Sequence, residues 1–299
     1  MLTGHEQRGE SRSSAMPALA RHPSVLQLRL LGVPQIWWRG VDLARSLPDK
    51  QQALLYLLAI EGQGQSVGRA VLARMLWGEW PDEAARANLR VALSHLRRVL
   101  PGLLDIDARR VGFADAGLQV VSDLDLLGDA LVPGASAACR TAGARLWRGE
   151  LLADFVLPGC DEFERWCAVQ RQRAVGMALD LRRALVHTCE AAGEWEGAIH
   201  HARALLRIDP ADEAAHMVLM RLLAGQGERT AALRQYADCV AALAEQFGAR
   251  PSARCYALYV RIHADTLPSR AEMFEQMVAN STAAAGAACP STGRLTPIH

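Results

Sequence analysis

The sequence predicts a mainly α chain in two parts: an α+β domain near the N-terminus, then an all-α domain built from helical repeats. Three observations carry this expectation. Apolar residues alternate over residues 25–31, as in a half-buried strand. Helical spacing takes over from Pro48 and is clearest over residues 82–100. A glycine-turn pattern at Gly193 then returns 34 residues later at Gly227. The length of 299 residues agrees, because single cores rarely grow past about 250 residues.

Taken in order, residues 1–24 are polar and without period, and read as a tail. Residues 25–31 form a first strand, punctuated by Gly32 and Pro34. Gln35 to Trp38 form a second, and after Gly40 residues 41–45 form a third, giving an antiparallel meander. Pro48 suits the first turn of a helix that continues through Ala53, Leu54, Leu57 and Leu58. Ser66 is placed to cap a second helix with Val67, Ala70, Val71 and Met75 on one face. Asp82 and Glu83, after Pro81, open a third helix favourably against its dipole, and Pro101-Gly102 ends it. Residues 103–106 and 111–113 make a hairpin around a turn at 107–110, and residues 118–121 add a strand. Strands, three helices and a hairpin are the order of a winged helix with an N-terminal sheet.

Past Asp123 the pattern is almost wholly helical. Gly193 to Gly227 and Ala198 to Ala232 are both offsets of 34, the period of tetratricopeptide helix pairs. The helix from Ala231 overruns that period, so Pro251 comes later than Pro210 would place it. Such repeats must stack on neighbours, and flanking helices near 136–153, 161–190 and 252–266 are expected to complete the stack. The expected domains are 25–122 and 123–267, with 268–299 an Ala/Ser/Thr/Pro-rich tail.

Composition excludes several chemistries. Of 33 basic residues, Lys50 is the only lysine, and no Gly-Lys pair exists to build a phosphate-cradling P-loop. The run from Gly62 to Gly68 has its third glycine one place too late for a dinucleotide fingerprint and reads as an inter-helix turn. No G-x-S-x-G elbow occurs. Seven cysteines, none spaced C-x-x-C, are expected to stay reduced and pack as small apolar residues. Cys160 and Cys167 can share a helix face, yet two thiols without partner ligands make a poor zinc site. His187, His200, His201 and His216 read as ordinary helix-surface residues. No reaction, cofactor or metal is expected. The longest apolar run, residues 53–60, is far short of the roughly 20 residues a bilayer needs, and the N-terminus lacks a signal-type apolar core. The expected location is cytoplasmic, with no membrane partner.

Residues 84–104 carry Arg86, Arg90, Arg97 and Arg98 and no acid. Leu89, Leu93, Leu96 and Leu100 form the buried stripe, which leaves Arg86, Arg90, Ser94 and Arg97 on another face. Such a row can lie in a major groove, where the arginine fork bonds guanine or straddles phosphate. Asn88 can read adenine or bond a phosphate, and Arg109 and Arg110 sit in the hairpin turn, where a wing touches the backbone or minor groove. His95 lies between faces and reads as packing. An isolated arginine-rich helix is more often a solvated surface. The acid-free stretch and the arginines of the hairpin turn weigh against that. The net charge of +1 for the whole chain speaks against nucleic acid, yet residues 25–121 carry 12 basic and 9 acidic residues, a local +3. Trp147, Trp166 and Trp195 read as helix-stacking core.

The strings RANLRVALSHLRRVL, SVGRAVLARMLW and LQLRLLG resemble the OmpR-type winged-helix domain in its variant from the SARP (Streptomyces antibiotic regulatory protein) regulators. The strings LWRGELLADFVLPGCDEFERW, RIDPADEAAHMVLMRLLAGQGERTAALRQY and FGARPSARCYALY resemble the bacterial transcriptional activation domain of the same regulators. The two resemblances cover about residues 25–265. They imply a DNA-binding activator that contacts RNA polymerase at promoters with direct repeats, two protomers bound as a homodimer on double-stranded DNA. The rival reading is a tetratricopeptide-type adaptor whose winged helix binds protein instead of DNA; an enzyme is a distant third.

Overall fold

The computed structural model describes residues 25–62, 65–114 and 119–267. Both expected tails, Gly64 of the glycine run and Leu118 lie outside the described residues. Two compact units divide at Leu181 and Arg182.

The first unit starts with strands β1 (Val25–Arg29), β2 (Gln35–Trp38) and β3 (Val41–Asp42), and later β7 (Gln119–Ser122) joins them in the order β3-β2-β1-β7. The first three are antiparallel, with Leu28 facing Ile36 and Leu26 facing Trp38, while β7 runs parallel to β1. Arg39 and Gly40 both have positive φ, +52° and +80°, as a two-residue hairpin with the right twist demands. The third strand is shorter than the sequence suggests. Asp42 Oδ1 accepts from Ala44 N at 2.9 Å, and Ser46 and Leu47 both donate to Leu43 O, so the chain turns before residue 45.

Helix α1 (Asp49–Gly62) is buried from Gln52 through Ile60, nearly all round, which marks it as the unit's central helix. Its one buried amide is satisfied at both ends. Gln52 Nε2 donates to Ala44 O at 2.7 Å and Leu47 O at 2.8 Å, while its Oε1 accepts from Tyr56 OH at 3.1 Å. Tyr56 stacks edge-on against Phe155, which continues to Phe163 and Trp166. Burial pushes the Tyr56 hydroxyl up from its ordinary value, with Asp42 and Asp49 adding to it.

Ser66 does not cap the next helix. Val67 and Gly68 form strand β4, and α2 (Arg69–Trp77) starts beyond it with Gly68 at its cap. The buried face is therefore Leu72, Ala73, Met75 and Leu76, so that of the residues expected there Met75 is buried while Ala70 and Val71 are exposed. Helix α3 (Asp82–Val99) follows, then β5 (Leu104–Ile106) and β6 (Arg110–Phe113), which form a second sheet in the order β4-β6-β5.

After α4 (Asp123–Asp129), α5 spans only Ala137–Arg145. The helix expected to continue to 153 stops because the chain beyond it pairs with the end of β1. Gly32 N donates to Glu150 O, Leu152 N to Leu30 O and Ala153 N to Gly32 O, at 2.8–3.1 Å. Gly32 is needed there: a Cβ on it would stand 3.2 Å from the Arg148 Cβ, at φ +110°. The same strand end meets the start of α4. Asp123, 1% exposed, accepts from Leu30 N at 2.6 Å and Leu31 N at 3.1 Å, with Arg148 Nη2 at 3.4 Å. Burial pushes the Asp123 carboxyl up, against the pull of those N–H groups and of Arg148.

Helix α6 (Asp161–Ala191) runs on into the second unit, which adds α7 (Trp195–Ile208), α8 (Glu213–Gly225), α9 (Arg229–Phe247) and α10 (Ala253–His263). Helices α7 and α9 begin 34 residues apart, behind equivalent glycine turns with φ +71° at Gly193 and +84° at Gly227. Glu194 N donates to Cys189 O and Glu228 N to Leu223 O, so the turns also match in their hydrogen bonds. Helix α9 is five residues longer than α7, as its overrun of the period requires. Helix α10 is held at both ends. Glu213 Oε1 accepts from Ser252 N and Oγ, and Arg229 donates to Ile262 O and His263 O.

Two histidines expected on the surface are buried. His216 donates from Nε2 to Pro210 O at 2.8 Å and accepts at Nδ1 from Gln235 at 2.6 Å, so it links the α7–α8 turn to α9. His201 is 9% exposed and accepts at Nδ1 from Arg182, which leaves its proton on Nε2. Burial, with Arg182 and His200 adding, holds the His201 imidazole down at about 4. Cys160, Cys167, Cys189, Cys239 and Cys255 are buried and unpaired, as small apolar packing requires, and Cys139 is half-buried. Trp195 is core, whereas Trp147 and Trp166 are half-buried. Among the described residues no helix is long and apolar enough to cross a membrane.

Two stability outcomes are expected. Asp123→Ala strands two buried N–H groups and an arginine, and urea unfolding should read a loss of about 3 kcal/mol. His201 takes up a proton near 6.5 in the unfolded chain but only near 4 when folded. Its contribution is therefore present above about pH 6.5 and is lost as pH falls toward 4. His201→Gln should flatten about 2 kcal/mol of the stability change between neutral and acid unfolding curves.

Candidate nucleic-acid interface

Helix α3 is oriented by its leucines. Leu89, Leu93, Leu96 and Leu100 are at most 2% exposed, with Ala85 and Ala92 beside them. Burial of that stripe against α1 and α2 turns the remaining arc outward. Arg86, Arg90, Ser94, Arg97 and Arg98 are all exposed. At about 100° per residue, the first four fall within an arc of about 80°, with Arg98 about 40° beyond. Asn88, half-buried, lies about 160° round the helix from Arg90 and does not join the row. His95 is tied inward, donating from Nδ1 to Gln51 Oε1 at 2.6 Å, as a packing residue should be.

The row is electrostatically uneven. Arg86 Nη2 stands 3.4 Å from Asp82 Oδ2, an exposed pair worth little in water. Arg90 makes no hydrogen bond or ion pair through its side chain among the described residues, nor do Arg97 and Arg98. The last two sit in the final turn, where cations also favour the helix dipole. Val91 also lies on the outward arc and is 70% exposed. The arginine spacing draws no attention to it; an apolar residue interrupting the outward face is the signal that finds it.

The hairpin β5–β6 pairs Leu104 with Phe113 and Ile106 with Val111; its turn carries Arg109, whereas Arg110, expected in the turn, opens β6 opposite Gly68. Asp107 shapes that turn. Its Oδ1 accepts from Arg109 N at 2.5 Å and Arg110 N at 2.7 Å, and these N–H groups hold its carboxyl below the ordinary value. The two arginine side chains differ. Arg109 is exposed with no side-chain partner among the described residues, whereas Arg110 turns back onto Ser66. Among the described residues no group of His, Cys, Asp and Glu is arranged to hold a metal ion.

Asp107→Ala removes the acceptor of both turn amides. Hydrogen–deuterium exchange should then read faster exchange at Arg109 and Arg110, with helix α3 unaffected.

Comparison with known proteins places this geometry among relatives. Residues 124–263 match the bacterial transcriptional activator domain. Across 288 residues, 92% of this chain, the sequence is 31% identical to the regulatory protein AfsR of Streptomyces coelicolor. AfsR of Streptomyces griseus is 31% identical over 85% of the chain. The chain spans only about a quarter of the length of these relatives, 28% and 26%. The transcriptional regulatory protein EmbR of Mycobacterium tuberculosis is 38% identical over 86 residues, 29% of this chain and 21% of that protein. A solved structure of Mycobacterium tuberculosis EmbR, in complex with a low affinity phosphopeptide, has the same fold. It aligns with a TM-score of 0.59 and 23% identity, over 87% of this chain and 71% of that one.

Proposed function

Because this chain belongs to the SARP-type regulators and carries their bacterial transcriptional activator domain at residues 124–263, we propose that it regulates transcription by binding double-stranded DNA through helix α3 and its following wing. The observation that carries the reading is the outward arc of α3. A helix whose neighbouring face is buried leucine presents Arg86, Arg90, Ser94, Arg97 and Arg98 with no acid after Glu83. That arc has the width and charge of a major-groove reader.

In this reading residues 25–122 are the DNA-binding domain and residues 123–267 the activation domain. Arg90 and Arg97 are central to the arc and contact base edges or phosphates, with Arg86 and Arg98 flanking them. Arg109 approaches the backbone or minor groove from the wing. Asn88, off the row, serves at most a neighbouring phosphate. Two protomers bind direct repeats as a homodimer on DNA and recruit RNA polymerase, as the resemblance to activators of this type implies.

The adaptor reading has one observation in its favour. Tyr236, Tyr256 and Tyr259 form a stacked cluster on α9 and α10, with Tyr256 56% exposed, a surface of the kind that binds proteins. The salt dependence of binding to duplex DNA separates the two. A steep negative log–log slope supports DNA as the partner, and a flat response supports the adaptor.

Arg90→Ala is expected to weaken binding to a duplex selected from genomic fragments by about 1–3 kcal/mol if it reads a base. If it holds a phosphate, the loss is uniform across sequences and the salt slope falls by about 1. A gel-shift titration with unchanged affinity and slope would remove Arg90 from the interface.

A further inference from the structure

Resting on the DNA-binding reading above, we infer that Arg110 is a positioning residue: it anchors the wing to Ser66 so that Arg109 is presented to the DNA. Its Nε donates to Ser66 Oγ at 2.6 Å and to Ser66 O at 3.1 Å, and its Nη2 donates to Ser66 O as well. The Nε–Nη2 edge, one of the two by which a guanidinium straddles an anion, is thereby occupied within the chain.

The surrounding ladder makes this a clamp between two segments distant in sequence. Ser66 directly precedes β4, where Val67 pairs with Val111 and Gly68 with Arg110. The strands approach closely enough that a Cβ on Gly112 would stand 3.1 Å from Ser66 Cα. A second arginine crosses the ladder the other way. Arg69 Nη1 donates to Asp107 O at 2.9 Å, while Arg69 N donates to Arg109 O at 2.8 Å. The two guanidinium contacts and the Asp107 turn fix both sides of the hairpin tip. Arg109 stands at that tip, and its guanidinium has no hydrogen-bond or ion-pair partner among the described residues.

Lysine discriminates the two roles of residue 110. It keeps the charge and can serve a phosphate, but it has no planar fork for the Ser66 carbonyl and hydroxyl together. The test uses the full chain with sheared genomic duplex DNA, titrated over a salt series. Arg109→Ala should lower the log–log slope by about 1, the loss of one phosphate. Arg110→Lys should lower it similarly, although no charge is removed. The double variant Arg109→Ala/Arg110→Ala should lose no more slope than Arg109→Ala alone, and Ser66→Ala should fall partway toward Arg110→Lys. Faster amide exchange in residues 106–111, with unchanged thermal unfolding, shows that the hairpin has moved in a folded protein. Wild-type slope for Arg110→Lys, or a double variant losing about 2, makes Arg110 a direct phosphate contact and overturns the inference while leaving DNA binding intact. A wild-type chain with no salt-dependent binding overturns the DNA reading itself, and this one with it.

Discussion

The buried Asp123 carboxylate is the joint on which the first unit depends. The parallel pairing of β1 with β7 brings residues nearly a hundred positions apart side by side, and it ends where the backbone of Leu30 and Leu31 would otherwise point N–H groups into a dry interior. Unpaired, those groups cost more than most single contacts contribute. One carboxylate accepts both, and Arg148 completes it from the segment that pairs along the same strand end. Sheet, helix α4 and the stretch around Leu151 are thus fixed by one acceptor.

Upon that frame the helices sort by how completely they are enclosed. Helix α1 is surrounded, so its only tolerable polar group is one that finishes its own hydrogen bonds, as Gln52 does. Helix α3 is enclosed on one side only. Its leucines decide which way it faces, and its arginines are free to be outward because none is needed for packing. The buried leucines and the exposed arginines occupy different sides of the same eighteen residues.

Much of this was legible in the sequence because it is local. The leucine spacing of α3, the hairpin after it and the 34-residue return of the glycine turn are all matters of period and turn chemistry. What escaped was settled by partners far along the chain. Ser66 has the composition of a helix cap, but β6 claims Val67 and Gly68 for a ladder 44 residues away, and the helix begins later. The helix expected to reach residue 153 yields to pairing with residues 30–32. His201 had a readable signal, since with Ala198, Ala202 and Leu205 it lies on the apolar spacing of α7, and burial follows from that spacing. For Arg110 there was none: charge and position in a turn describe it and Arg109 alike, and only the direction of the side chain separates them.

Among the described residues α10 is the last helix, and an end helix of a stacked array is ordinarily the first part to open. Here α10 has its start tied to Glu213, the first residue of α8, and its end tied to Arg229, the first residue of α9. Peeling it away therefore releases the side chains of Glu213 and Arg229, the first residues of both preceding helices. Opening of α10 is thereby coupled to the starts of α8 and α9.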